Sequence, residues 1–296
     1  MTPDFLNHVP QTFFEAQRRR FLEGWLVFSK NKAAKWSLYF LGILITMAIF
    51  AQWITPHDPT QAKLSLRLQS PSSTYWLGTD ELGRDILSRL IYGVRTTIYI
   101  VLLITFYTVP VGVFIGIVAG YCGGWVDRVL MRLTDIFLAL PRLILALAFV
   151  AALGPGLNNL ILAISLTSWT AYARVARSET LLIREENFVK AAQLQGAKSL
   201  YILWHHVVPL CLPSIVVRVT YDMAGIILLA AGFGFLGLGV QPPTPEWGSM
   251  VASGQAYLLD RWWVSAAPGV AIFLVSLALN FVGDGLRDVI DPRHNN

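Results

Sequence analysis

Residues 184–213 read R-E-E-N-F-V-K-A-A-Q-L-Q-G-A-K-S-L-Y-I-L-W-H-H-V-V-P-L-C-L-P, a charged, small-residue-rich stretch between two long apolar segments. Asn187 to Gln195 predicts a short helix, with Glu186 and Lys190 spaced i,i+4 for a weak ion pair. Ala191 and Ala192 leave the middle of that helix smooth. Gly196 is a helix stop, and Ser199 is placed to cap a second helix returning toward the apolar segment that follows. A helix–Gly–helix with an alanine surface has the shape to seat in another protein's groove.

Composition says where such an elbow would stand. The chain of 296 residues is 55% hydrophobic and 14% charged, with a mean hydropathy of +0.55. Soluble chains carry about 25% charged residues, and here apolar runs of about 20 residues recur, each long enough to cross a hydrocarbon core of roughly 30 Å. This composition belongs to an all-α integral membrane protein. The net charge of +5 sits beside apolar spans, which fits the positive-inside rule and a membrane-lipid contact better than a nucleic-acid partner. Cys122 and Cys211 are isolated thiols that predict neither a disulfide nor a metal site.

Residues 1–35 interleave Phe13, Phe14, Phe21, Leu22, Trp25, Leu26 and Phe28 with Arg18, Arg19, Arg20, Lys30, Lys32 and Lys35, the pattern of an amphipathic segment on an anionic membrane face. No apolar run precedes Trp36, so Trp36–Ile54 is expected to remain as an anchor. Residues 36–94 then comprise this span and an outer connection. There Thr79 is a candidate N-cap, and Leu82, Ile86, Leu87, Leu90 and Ile91 form the stripe of an interfacial helix. Residues 95–296 hold five further spans: Thr96–Tyr121, Leu133–Leu153 interrupted by Pro141, Leu160–Leu182, Ile215–Val240 and Ala266–Val282, with Cys122–Arg132 as a short connection. Gly112, Gly116 and Gly120 permit close helix approach. Asp135 and Arg142, seven apart, fall near one helical face. Arg218 and Asp222, at i,i+4, are placed to neutralise one another or to face a polar passage. Ser168 lies in the most polar crossing. These five are the candidate pathway-lining residues.

Six crossings place both termini on one side. With that side cytoplasmic, inside segments hold fifteen Arg and Lys, outside segments six, and Arg142 and Arg218 complete the 23. The elbow is then cytoplasmic. No H-E-x-x-H, G-x-S-x-G or G-x-x-x-x-G-K-[ST] motif occurs, so no catalytic residue, metal site or nucleotide cofactor is assigned to this chain. His205 and His206 are adjacent and point about 100° apart on a helix, unsuited to chelating one ion. A rival of another class is a secondary transporter with Asp135 and Asp222 as buried carboxylates, opposed by the arginine near each.

The K-A-A-x3-G string, with Pro209 thirteen residues after Gly196, resembles the EAA loop of ATP-binding-cassette (ABC) importer permeases. Three further strings, L-G-T-D-x-L-G-R-D-x-x-S-R, P-P-T-P-E-W-G and G-D-G-L-R-D-x-x-D-P, resemble the peptide and nickel branch of those permeases, so the resemblance runs from about Trp36 to Pro292. Lys190 stands where the family usually has Glu, and His206 and Val208 where Ile and Leu are common. The resemblance implies a type I ABC importer permease fold with six transmembrane helices and cytoplasmic N- and C-termini in a bacterial inner membrane. It implies ATPase coupling through the 184–209 loop at Lys190, Ala191, Ala192, Gly196 and Pro209. It further implies binding-protein contacts at Asp80, Arg84, Asp85, Glu246 and Trp247. The partners implied are a homologous permease, two ABC ATPase subunits that carry ATP and Mg, and a periplasmic solute-binding protein. The substrates implied are dipeptides, oligopeptides, glutathione, or nickel and other metal chelates.

Overall fold

The computed structural model describes residues 12–290, and among these every regular element is helical. The first eleven residues, and the D-P pair at 291–292 that ends the last family string, lie outside the described residues. Helix α1 (Phe13–Lys30) starts at Thr12, whose hydroxyl accepts the Glu15 amide at 3.2 Å. Asn31 breaks the chain and caps α2 (Lys32–Ile49) through the Ala34 amide. A short α3 (Ala51–Ile54) follows, and then a largely irregular stretch before the next long helix.

The helix expected from Thr79 does not form. Gly83 turns the chain at φ 73°, and a β-carbon there would run into the Lys63 carbonyl. Helix formation therefore waits for Asp85, whose carboxylate accepts the Ser88 amide at 3.1 Å and caps α4 (Ile86–Cys122). Thr79 instead receives the Gln69 amide and donates to the Leu66 carbonyl. The interfacial stripe from Ile86 onward is thus the start of one 37-residue helix, and a division after residue 94 falls inside it.

Gly123 (φ 64°) and Gly124 (φ 54°) turn α4 directly into α5 (Gly124–Leu138), so 122–132 is helical rather than a loop. Pro141 cannot continue α5 because its ring removes a donor and crowds the preceding turn. The chain resumes as α6 (Arg142–Leu153), bent by 84° from α5. Next come α7 (Leu157–Arg184), α8 (Asn187–Leu194) and α9 (Ser199–Ile202). A π-wound segment, Leu203–Val207, joins α9 to α10 (Val208–Phe235). Helix α11 (Trp247–Gly254) lies before α12 (Trp263–Ile290). The expected fifth span ends at Phe235 rather than Val240, because Gly237 takes φ 73°. The sixth runs past Val282, since Gly283 seats against Thr220 and Tyr221 and Gly285 against Phe28 and Ala34, giving both glycines a packing role inside the helix.

Contact register fixes the relative direction of α4, α7 and α10. Gly112 faces Trp169 and Tyr172, Gly116 faces Ala173 and Ala176, and Gly120 faces Thr180, so α4 and α7 run parallel with the glycines closing the gap. Between two parallel neighbours the bent α5–α6 pair must carry the chain back. Cys211 meets Thr180 while Asp222 meets Tyr172, so α10 is antiparallel to α7. Tyr221 donates to Asp284 from α10 to α12, and α2 packs on α12 with Ala34 at Gly285 and Leu41 against the cluster that includes Val282. Four helices (α2, α9 through α10, α4 and α12) are long and apolar enough to cross a membrane, and the bent pair makes a fifth. α7 has comparable length, 28 residues, but its middle is polar and buried: Ser165, Thr167, Ser168 and Thr170 are all enclosed.

Candidate functional site

Two places bring the candidate residues together, and a third holds them apart from solvent. The first is the elbow after α7. Glu186 takes extended backbone (φ −66°, ψ 144°) as the residue before α8 and so is off the helix surface. Lys190 therefore pairs with Glu185 instead, Nζ to Oε2 at 3.2 Å, and that hydrogen bond holds the exposed Glu185 carboxyl below the ordinary glutamate range. Gly196 ends α8 at φ 81°, with the Ala197 amide bonded back to the Ala192 carbonyl. The expected Ser199 cap is not made. Lys198 is the capping residue, without a side-chain bond, and Ser199 is already helical.

Ala191 and Gly196 are exposed on this elbow, as are Phe188, Leu194, Leu200 and Trp204. Leu194 is 91% exposed, an apolar side chain with no cover from its own chain. Val189 and Ile202 anchor the two arms in a buried cluster with Tyr172, Ala176 and Cys211, so the elbow is fixed to α7 and α10. Pro209 lacks an amide hydrogen and stands in the first turn of α10. Just before it, the Val208 amide reaches back to Leu203, five residues away, which is the π winding. His205 stacks on Tyr201 (centroids 4.2 Å) and His206 faces Phe188. Among the described residues no group of three or more His, Cys, Asp or Glu side chains is placed to hold a metal ion.

The second place lies midway along α7 and α10. Arg142, the first residue of α6, donates to Asp222 at 2.9 Å and to the Ser168 hydroxyl at 2.6 Å. The Tyr172 hydroxyl donates to the other Asp222 oxygen at 3.0 Å. Three helices thus meet at one carboxylate. Arg142 and Ser168 come together as candidates for one site, but the two intrahelical pairings read from spacing are not made. Asp222 is taken by Arg142 rather than Arg218, because the break at Pro141 delivers a guanidinium from a different helix. Asp135, on the far side of that break, pairs with Arg174 at 2.7 Å near the exposed end. Tyr172, four residues after Ser168 on the same face of α7, belongs to the site and is not among the candidates read from the sequence. Arg177 forms a fork on Asp127 at 2.5 and 2.6 Å, tying α5 to α7.

The third group is buried. Asp80, Arg84, Asp85, Glu246 and Trp247 are each 6% exposed or less. Arg84 bridges Asp80 at 2.7 Å, Asp85 caps α4, and the Trp247 indole donates to the Leu90 carbonyl at 3.1 Å. Glu246 caps α11, accepting the Gly248 and Ser249 amides at 2.7 and 2.8 Å. Burial pushes its carboxyl above the ordinary range, against the pull of those amides. These five side chains hold the loops before α4 and α11 to the helical body, and all five are turned inward within this chain.

Residues 112–296 match the family model described as "Binding-protein-dependent transport system inner membrane component". The chain belongs to that family. Residues 20–71 match the "N-terminal TM domain of oligopeptide transport permease C", which places this permease's α1 and α2 in an additional N-terminal unit. It is 43% identical over 280 residues to the di/tripeptide transport system permease protein DppC of Pseudomonas aeruginosa, covering 93% of this chain and 92% of the relative. It is 41% identical to the probable D,D-dipeptide transport system permease protein DdpC of Escherichia coli K12, covering 85% and 84%. The glutathione transport system permease protein GsiD of an Escherichia coli O6 strain is 39% identical, covering 97% and 95%. A solved structure titled as an inward-facing conformation of the MetNI methionine ABC transporter superposes with a TM-score of 0.58 at 20% identity, covering 69% of this permease and 97% of that chain. The fold is that of a type I ABC importer permease.

Proposed function

We propose that this permease is a transmembrane subunit of an ATP-driven, binding-protein-dependent importer of small peptides. The reading is carried by its likeness, over nearly its whole length, to relatives named as dipeptide, tripeptide and glutathione permeases. Glutathione is itself a tripeptide, so the three names share one chemistry. The alternation of direction among α4, the α5–α6 pair, α7 and α10 supports six crossings, with α7 as the most polar of them, and the arginine and lysine distribution supports a cytoplasmic elbow and cytoplasmic termini in a bacterial inner membrane.

In this reading ATP and Mg are bound by two ABC ATPase subunits, and the passage is completed by a homologous permease. A periplasmic solute-binding protein delivers the peptide. The uncovered apolar surface around Leu194 and Ala191 docks on an ATPase subunit. Closure of the ATPases moves α8 as a lever, and α7 and α10, to which it is anchored, open the passage outward. The drive must be a difference in how tightly the closed ATPase dimer holds the two permease conformations.

The test is uptake of a labelled dipeptide by proteoliposomes holding both permeases, the ATPases and the binding protein. Uptake is expected to need internal ATP and to survive collapse of the proton gradient. Uptake that follows the proton gradient without ATP would establish a secondary transporter instead.

A further inference from the structure

The site midway through the bundle has more positive charge than its own residues neutralise. Both Asp222 oxygens are engaged, one by Arg142 and one by Tyr172. Arg218, one turn away on α10, makes no ion pair or hydrogen bond within the described chain. Its buried Nε, and that of Arg142, have no acceptor. Arg142 and Tyr172 meet at Asp222, and Arg218 stands four residues before Asp222 on the same helix. The next carboxylate toward the elbow, Glu179, already accepts the Ser214 hydroxyl at 2.6 Å. Two guanidinium groups against one carboxylate leave one positive charge.

Depth makes that surplus costly. α7 and α10 each have 28 residues, and Ser168, Tyr172, Arg218 and Asp222 all lie within one turn of their midpoints. An unpaired cation midway along a membrane-crossing helix is costly, and such groups in membrane proteins face a cavity, a partner or a transported solute. A guanidinium selects planar oxyanions, above all carboxylates, which it binds through two parallel hydrogen bonds.

We propose that Arg218, with the free edge of Arg142, is the station at which the passage takes the α-carboxylate of a peptide in transit. The proposal rests on the peptide-importer reading and deepens it. Every peptide with a free C-terminus brings the one charge the site lacks. A free metal cation meets net repulsion at the same place. Arg142 is already held by Asp222 and Ser168, so it is the positioning member, and its side chain, one-third exposed, keeps an open side. Arg218 is the binding member.

The experiment uses the complete importer in proteoliposomes, with a dipeptide and its C-terminal amide each supplied at saturating binding protein. The readout is the amide-to-acid uptake ratio, in which selection by the unchanged binding protein cancels between wild type and variant. In R218Q the ratio should rise about tenfold, the discrimination expected from losing a charge-assisted hydrogen bond. R218K keeps the charge but loses the fork and should raise the ratio about threefold, which decides the matter alone if R218Q fails to assemble. An equal fall in uptake of acid and amide would overturn the carboxylate station and assign Arg218 to a partner subunit or to folding, while leaving the importer reading intact. Unchanged uptake of both would remove Arg218 from the passage altogether. Failure of wild-type uptake itself to require ATP would instead strike the importer reading.

Discussion

The Arg142 guanidinium reaches the Asp222 carboxylate across 2.9 Å although the two residues are 80 positions apart in the chain. The pair joins the free end of a broken helix to the middle of an unbroken one. Replacing Asp222 by Asn should strand Arg142 and lower stability by roughly 2–3 kcal/mol, below the cost of breaking a fully buried pair because Arg142 is partly exposed. Thermal unfolding of the detergent-solubilised permease measures this. An R142M/D222L double variant should recover most of the loss, and a double variant as unstable as D222N would show that the pair is not the source of the cost.

Gly116 has no room for a β-carbon, which would run into the Ala173 carbonyl, whereas Gly42 in α2 has open space around it. G116A should therefore cost roughly 1–3 kcal/mol by overpacking α4 against α7. G42A should be neutral or slightly stabilising, because alanine costs less backbone entropy in a helix. Equal melting temperatures for the two variants would remove the close α4–α7 approach as a stability determinant.

Glu246 serves two ends at once. E246A should lose about 1 kcal/mol as the Gly248 and Ser249 amides lose their acceptor, while E246Q keeps one acceptor oxygen and sheds the buried charge, staying within about 0.5 kcal/mol. Because burial raises this carboxyl in the fold above its unfolded value of 4.5, its proton-linked contribution is full below that value. The contribution falls as the pH rises through the raised folded value. In E246Q that segment of the stability–pH curve should flatten.

Gly196 at φ 81° demands a conformation that proline, fixed near −65°, does not reach. G196P should abolish ATP-dependent uptake while the permease still inserts and assembles, and A192W, filling the half-buried side of α8, should do the same. G196N, which tolerates the left-handed region, should retain uptake. Uptake undiminished in G196P would end the lever role of α8.

The elbow was legible because its signals are local: Gly196 stops a helix by its own backbone, and alanines leave a smooth face wherever they are put. The glycine ladder on α4 was equally plain, since a four-residue period means close approach in any helix. Ion pairs were not. Glu186–Lys190, Asp135–Arg142 and Arg218–Asp222 all have helical spacing, yet in each case a backbone break or a partner from another helix prevailed: the extended residue before α8, the bend after α5, and Arg142 arriving from α6. Spacing describes one helix, whereas the partner of a charge is decided by three. The stretch before α4 misled for a related reason. Asp80, Arg84 and Asp85 look like a solvent-facing set in the sequence, but Gly83 turns the chain and folds them inward, where Arg84 pairs with Asp80 and Asp85 caps α4.

The π-wound segment at Leu203–Val207 puts one additional residue into the shaft that links the elbow to Arg218 and Asp222 at the centre of α10. Each residue of a helix advances the azimuth by about 100°, so this single insertion sets the angular phase between the elbow's exposed surface and those two side chains. Excising one position there would keep both halves helical and chemically whole while turning each away from the other.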